Sequence, residues 1–265
     1  VDSYGLTLEP RQRVDLPMGS ITGETLIENR VASIVASHDA PVWVFGLKEA
    51  GFVGVVDYSD PLGEDFPLVS TIATEKFLHD GGFDQTGRYF LIAANGSNKI
   101  VIVDLLTLTF VTSIPTGLVP HPGRGANWND PVYGPVNATS HIGEGKVSVY
   151  GADPVGRPDV AWQVVREITL PSAGSLFIKT HPNSPWVLVD MATSATGFEK
   201  QICAISKETG TLDRCFPVAT NGLAVHLEFT KGGGEIWVSD WDPDGALIIL
   251  DSTTLDVIDK ITGLP

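Results

Sequence analysis

Gln85-Thr86-Gly87-Arg88-Tyr89-Phe90-Leu91-Ile92 runs on to Lys99-Ile100-Val101-Ile102-Val103-Asp104 and then to Thr107-Leu108-Thr109-Phe110. A turn leads into an apolar strand, a second strand closes on Asp, and a third element opens on Thr-Leu. Turn residues bound each run and β-branched and aromatic side chains fill it, the composition of short packed strands. The same order recurs along the chain. Turns at Asp39-Ala40-Pro41, Pro182-Asn183-Ser184 and Lys231-Gly232-Gly233-Gly234 precede strands at Val42-Trp43-Val44-Phe45, Trp186-Val187-Leu188-Val189 and Glu235-Ile236-Trp237-Val238. Strands closing on Asp recur at Val55-Val56-Asp57 and Ile249-Leu250-Asp251, and Thr254-Leu255-Asp256-Val257 repeats the third element. No stretch holds a 3.6-residue apolar period over three turns, so helix is expected to be scarce.

The repeat length is roughly 43–54 residues, the range of four-stranded propeller blades. One small sheet cannot bury both of its faces, whereas sheets stacked side by side can. The fold expected is therefore all-β, a β-propeller of four-stranded blades, with about five blades centred near residues 45, 92, 135, 188 and 237. Residues 1–265 are read as a single propeller domain or a segment of one. Within it, residues 1–20, from Leu6-Thr7-Leu8-Glu9-Pro10 to Asp15-Leu16-Pro17, are read as the outer strand of a preceding, incomplete blade.

The composition fits this reading: 43% hydrophobic, 18% charged, with 28 Gly and 18 Pro for many turns. A formal net charge of −15 argues against a nucleic-acid role, since phosphate binding needs a concentrated positive field, so no nucleic-acid partner is expected. No apolar run reaches the roughly 18 residues of a membrane span, and no membrane insertion is expected. The opening Val1-Asp2-Ser3-Tyr4 is neither an initiator Met nor a signal peptide, which implies processing or truncation. The two cysteines, Cys203 and Cys215, flank the turn-like Ser206-Lys207-Glu208-Thr209-Gly210. A hairpin symmetric about Thr209 sets them opposite each other. Two outcomes stand, a bridge formed in an oxidising compartment or two unpaired buried thiols. There is no C-x-x-C-H, so no c-type haem attaches to this chain.

Two local motifs are more specific. One is Lys76-Phe77-Leu78-His79-Asp80-Gly81-Gly82. The other is Pro120-His121-Pro122-Gly123-Arg124-Gly125-Ala126-Asn127, followed by Tyr133-Gly134-Pro135-Val136 and Thr139-Ser140-His141-Ile142-Gly143. Further on stand Gly174-Ser175-Leu176-Phe177-Ile178-Lys179-Thr180-His181 and Glu235-Ile236-Trp237. In order, spacing and wording these stretches resemble the haem d1 domain of cytochrome cd1 nitrite reductases. The resemblance covers most of the chain. It implies that these blades belong to an eight-bladed propeller holding haem d1, with nitrite as substrate and a c-type cytochrome or other electron donor as partner. It also implies a periplasmic or otherwise exported protein, and either a homodimer or a further chain that completes the propeller. His79 and His121 match the two distal histidines that face nitrite, Arg124 a residue contacting the cofactor, and Phe177 an aromatic lining its pocket.

The chemistry asks for such residues. Reducing nitrite to nitric oxide consumes two protons and expels water, and imidazole donates protons near neutral pH. Arg124 lies between two glycines, where a guanidinium can pair with a ligand carboxylate. His226, in Val225-His226-Leu227-Glu228-Phe229, stands where nitrite reductases carry Gln. There it resembles periplasmic proteins that handle haem d1 during its biosynthesis. Two alternatives to the nitrite reductase domain follow: a haem d1 carrier or maturation dehydrogenase with His226 facing the tetrapyrrole, and a propeller scaffold that has lost the cofactor. The family's proximal iron ligand and c-type haem domain fall upstream of residue 1. His38, His141 and His181 are read as structural or loop-fixing. Asp240-Trp241-Asp242-Pro243-Asp244-Gly245 looks like the start of a calcium loop, lacks the Glu at its twelfth position and is read as a hairpin turn.

Overall fold

The computed structural model describes residues 12–60 and 65–263. The chain divides into two compact units, one ending at Ser113 and the other starting at Ile114.

The first unit holds two four-stranded antiparallel sheets. One runs through β1 (Val31–Ala36), β2 (Val42–Leu47), β3 (Phe52–Asp57) and β4 (Leu68–Ala73). The other runs through β5 (Leu78–Phe83), β6 (Tyr89–Ala94), β7 (Lys99–Asp104) and β8 (Thr109–Pro115, whose last residues pass into the second unit). The second unit holds three more: β9 (Ala126–Asp130) to β10 (Gly134–Ser140), β11 (Lys146–Gly151) and β12 (Val164–Thr169); β13 (Ile178–Thr180) to β14 (Trp186–Asp190), β15 (Gln201–Ser206) and β16 (Thr211–Pro217); and β17 (Leu223–Phe229) to β18 (Glu235–Trp241), β19 (Ala246–Asp251) and β20 (Val257–Thr262). Every sheet is a meander in chain order, the propeller blade expected from the repeat. The only helical element among the described residues is a single 3-10 turn at Asn95–Ser97. No helix among them is long and apolar enough to cross a membrane.

The continuous apolar runs are explained by packing on both faces. In β14, Val187 and Val189 join Val136, Ala138, Val147 and Val149 of the preceding blade. Leu188, between them, points the other way and joins Leu227, Ile236, Val238 and Ile248 of the following blade. Successive strand side chains alternate between faces, so one apolar run serves two interfaces. In the first unit Val44 and Val53 meet Phe90, Ile92, Val101 and Val103 in the same manner.

Two strands start later than the repeat predicts. β8 begins at Thr109 and not Thr107, and β20 at Val257 and not Thr254. Leu108 (φ 54°) and Leu255 (φ 67°) are left-handed, which breaks the extended ladder at those points. The outer strand expected over residues 1–20 falls mostly on residues 1–11, outside the described residues. Beyond them, Val14 and Leu16 pack on Phe45, Leu47 and Val56, and Gly19 makes a single bridge to Thr25. Cys203 of β15 lies opposite Cys215 of β16 and the two are bonded, S–S 2.04 Å. The calcium-like stretch ends β18 and turns into β19, with the Asp244 amide donating to Asp242 Oδ1 at 2.9 Å.

Candidate functional site

In the first unit His79 lies on β5. The pairing of β5 with β6 shifts register between Leu78 and Gly81, so His79 and Asp80 form a bulge outside the ladder. Bulges re-aim side chains, and here one presents a part-exposed imidazole. His79 Nδ1 lies 3.2 Å from Asp80 Oδ1. The carboxylate accepts from Nδ1–H, which fixes the tautomer whose acceptor nitrogen is Nε2.

In the second unit four candidates lie on three consecutive blades. His121 occupies the loop entering β9, tied to the end of β10 from both sides. Its amide donates to Ser140 O at 2.9 Å, and Ser140 Oγ donates to its carbonyl at 3.0 Å. His121 Nδ1 donates to Leu176 O at 2.8 Å, which again leaves proton exchange to Nε2. Leu176 immediately precedes Phe177, so this bond links His121 to the loop entering β13. The His121 and Phe177 rings meet edge to face, with centroids 6.3 Å apart at 90°. Phe177 stacks in turn on His226, centroids 4.5 Å apart and planes 24° from parallel.

His226 lies on a bulge of β17, between the pairs Val225↔Ser239 and Leu227↔Val238, with φ 56°. Its side chain is half exposed, and Nε2 lies 3.9 Å from Glu228 Oε2. Burial, helped by the nearby Lys179 cation, lowers its pKa against the pull of Glu228. Arg124 is exposed at the tip of the His121 loop. Gly123 beside it has φ 62°, and a Cβ there would come within 2.7 Å of Phe177 Cδ1. Only glycine lets the loop lie this close to the aromatic face. His121, Phe177 and His226 are thus brought together in sequence, and Arg124 lies on the same loop as His121.

The histidines read as structural behave differently. His141 is fully buried and donates from Nδ1 to Lys146 O at 3.0 Å. Burial holds its pKa below the ordinary imidazole range. His181 Nδ1 accepts the Asn183 amide at 3.1 Å within its turn.

One residue here escaped the reading of motifs. Asp190, the last residue of β14, is fully buried. Its Oδ1 accepts from Ser175 Oγ (3.1 Å), the Leu176 amide (2.8 Å) and the Phe177 amide (3.0 Å). Its Oδ2 accepts the His226 amide at 3.4 Å. Burial outweighs these donors and pushes its pKa up to about 6. The available signal was a carboxylate ending an otherwise apolar strand, Trp186-Val187-Leu188-Val189-Asp190.

Fold and site together define a β-propeller protein that presents imidazoles and an aromatic face from consecutive blades, an arrangement suited to a flat conjugated ligand. The chain belongs to the cytochrome D1 heme domain family, whose model matches residues 4–264. A nitrite reductase of Stutzerimonas stutzeri is 38% identical over 97% of this chain and 49% of its own length. A dihydro-heme d1 dehydrogenase of Pseudomonas aeruginosa is 28% identical over 72% of this chain and 36% of its own length. The chain thus spans half or less of the curated relatives it matches. Among solved structures, the dihydro-heme d1 dehydrogenase NirN in complex with DHE superposes with a TM-score of 0.73, at 24% identity, over 93% of this chain and 49% of that one. A streptogramin B lyase superposes with a TM-score of 0.65 at 15% identity, over 94% of this chain and 70% of that one. At these identities both solved structures speak to the fold alone.

Proposed function

We propose that this chain is the haem d1 domain of an oxidoreductase that reduces nitrite to nitric oxide. The residues present fit such a group. Phe177 and His226 offer a flat, partly exposed aromatic face, Gly123 keeps the neighbouring loop close to it, and imidazoles supply nitrogen donors. Phe177, His226 and Arg124 would hold the cofactor, Arg124 through a ligand carboxylate. Haem d1, when bound, supplies the redox centre at which nitrite takes up an electron.

The reaction balances as nitrite plus one electron plus two protons giving nitric oxide and water, with one N–O bond broken. The electron comes from a c-type cytochrome or other reduced donor. The oxygen leaves as water only if acids deliver both protons, and His79 and His121 are the proposed acids. The observation that carries this assignment is that both imidazoles have Nδ1 engaged, one by Asp80 and one by the Leu176 carbonyl. A ring held in this way, when doubly protonated, would give up its proton from Nε2. General acid catalysis of this kind contributes typically about 10²–10⁴-fold. Placement in the periplasm, or export by another route, belongs to the same proposal.

A second reading, a haem d1 maturation dehydrogenase or carrier, is favoured by His226 stacked on Phe177. The full chain loaded with haem d1 and a reduced donor distinguishes them. Nitric oxide formation that falls about 10²-fold or more in His79→Ala and in His121→Ala, with haem d1 still bound, supports the nitrite reductase. Undiminished turnover in the double variant rejects that role for the two histidines. Haem d1 binding without nitrite turnover, lost in His226→Ala, moves the second reading to first place. A chain that never takes up haem d1 would leave only a propeller scaffold.

A further inference from the structure

We propose that Asp190 is a positioning residue that sets the geometry of the Phe177–His226 pair. The two rings sit on different blades, one at the entry to β13 and the other on a bulge of β17. No ladder hydrogen bond joins those elements, since each belongs to its own sheet. The Asp190 carboxylate does join them. It accepts the amides of Leu176 and Phe177 through Oδ1 and the amide of His226 through Oδ2, and the Asp190 amide returns a bond to Phe177 O at 3.3 Å. Both aromatic residues are therefore fixed at their main chains by one side chain.

Blade architecture does not demand this group. The corresponding second strands β6 and β10 end on Ala94 and Ser140. Asp240, one residue before the end of β18, is also buried, yet its Oδ1 has no hydrogen-bond partner among the described residues, and Oδ2 reaches only the Thr220 amide at 3.4 Å. Asp190 instead accepts from three groups at the entry to β13 and from one, the His226 amide, on the following blade. Burying a carboxylate is costly unless it is bonded, and the rise of its pKa to about 6 registers that cost. A carboxylate buried at such a cost, with its bonds converging on the main chains of a stacked pair, is placed to hold that pair.

The inference rests on reading that pair as a tetrapyrrole-facing surface, and the experiment separates the two. Asp190→Asn keeps the shape but replaces one acceptor oxygen with an NH₂ donor, so it cannot accept both from the β13 side and from His226. In the free protein, His226 ring protons carry an upfield ring-current shift from Phe177, read by NMR against Phe177→Leu. Asp190→Asn is expected to remove that shift while circular dichroism and thermal midpoint stay within a few degrees of the parent. Haem d1 affinity is then expected to fall about tenfold or more, with no further loss when Phe177→Leu is added. An unchanged His226 ring shift in folded Asp190→Asn overturns the proposal, whatever the haem result. A parent that shows the ring shift but binds no haem d1 overturns the functional reading and leaves the positioning role tested. Should Asp190→Asn not fold, amide hydrogen exchange on the parent decides. Slow exchange at Leu176, Phe177 and His226 together supports the shared carboxylate, and unprotected exchange at His226 overturns it.

Discussion

Phe177 and His226, on neighbouring blades, lie face to face at 4.5 Å and 24°. An aromatic pair of this geometry contributes about 0.5–1.5 kcal/mol beyond its area. It also shields the imidazole, whose pKa burial lowers. Phe177→Leu should therefore raise the His226 pKa toward the ordinary imidazole range, an outcome read by NMR titration of its ring protons. A value that stays put would mean that Phe177 contributes nothing to the shielding.

His141 makes stability depend on acid. Its folded pKa lies below the ordinary 6.5, because burial disfavours the charged ring. Below pH 6.5 the unfolded chain binds a proton that the folded chain resists, so stability is lost as pH falls. The slope from this one group is at most about 1.4 kcal/mol per pH unit. Asp190 acts with the opposite sign. Its folded pKa of about 6 lies above the ordinary 3.8, so the folded state binds the extra proton between them and gains stability as pH falls through that window. Denaturant midpoints from pH 7.5 to 4.5 should show a shallower acid loss in His141→Gln than in the parent, whatever the variant's absolute stability. Parallel curves would remove His141 from the account.

Asp130 and Arg166 form a two-toothed ion pair at 2.7 and 3.0 Å, with the Asp130 side chain fully buried and the guanidinium 4.9 Å from the Tyr133 ring centre. Removing Arg166 leaves the buried Asp130 charge unmatched, so Arg166→Ala should cost about 3–5 kcal/mol in urea unfolding. A cost under about 1 kcal/mol would class the pair with ordinary surface bridges.

The Cys203–Cys215 bond closes a 12-residue separation between β15 and β16. A loop of this size constrains the unfolded chain by roughly 2–4 kcal/mol. Reduction should lower the unfolding free energy by that amount without changing the far-ultraviolet spectrum. Equal stability of the oxidised and reduced forms would count against any constraint from the bond.

Much of this fold was legible because a blade repeats. Turn, apolar run, Asp and Thr-Leu recur, and strands buried on both faces cannot hide their hydrophobicity. That Cys203 and Cys215 lie opposite each other was legible from hairpin symmetry about Thr209, but the choice between a bridge and two thiols was not. Strand starts at Thr107 and Thr254 were misjudged because nothing in Thr-Leu announces a left-handed leucine. The histidine motifs pointed to His79 and His121, but not to the bonds that engage their Nδ1 atoms. Those depend on a carbonyl in another blade for His121 and on a bulge for His79. Asp190 stayed unread for a similar reason. Its donors come from residues 175–177 and from residue 226, and no local pattern joins positions so far apart.

The bulges at His79 and His226 have a consequence for how such a protein changes over time. On either side of each bulge the ladder resumes, Leu78↔Ala94 and Gly81↔Ile92 in one case, Val225↔Ser239 and Leu227↔Val238 in the other. The side chains in the bulges, His79 and Asp80 in one and His226 in the other, stand outside the alternation that binds their neighbours to a core. A lineage can exchange such side chains without repacking the interior of a blade. Chemistry can drift at these two positions while the architecture stands still.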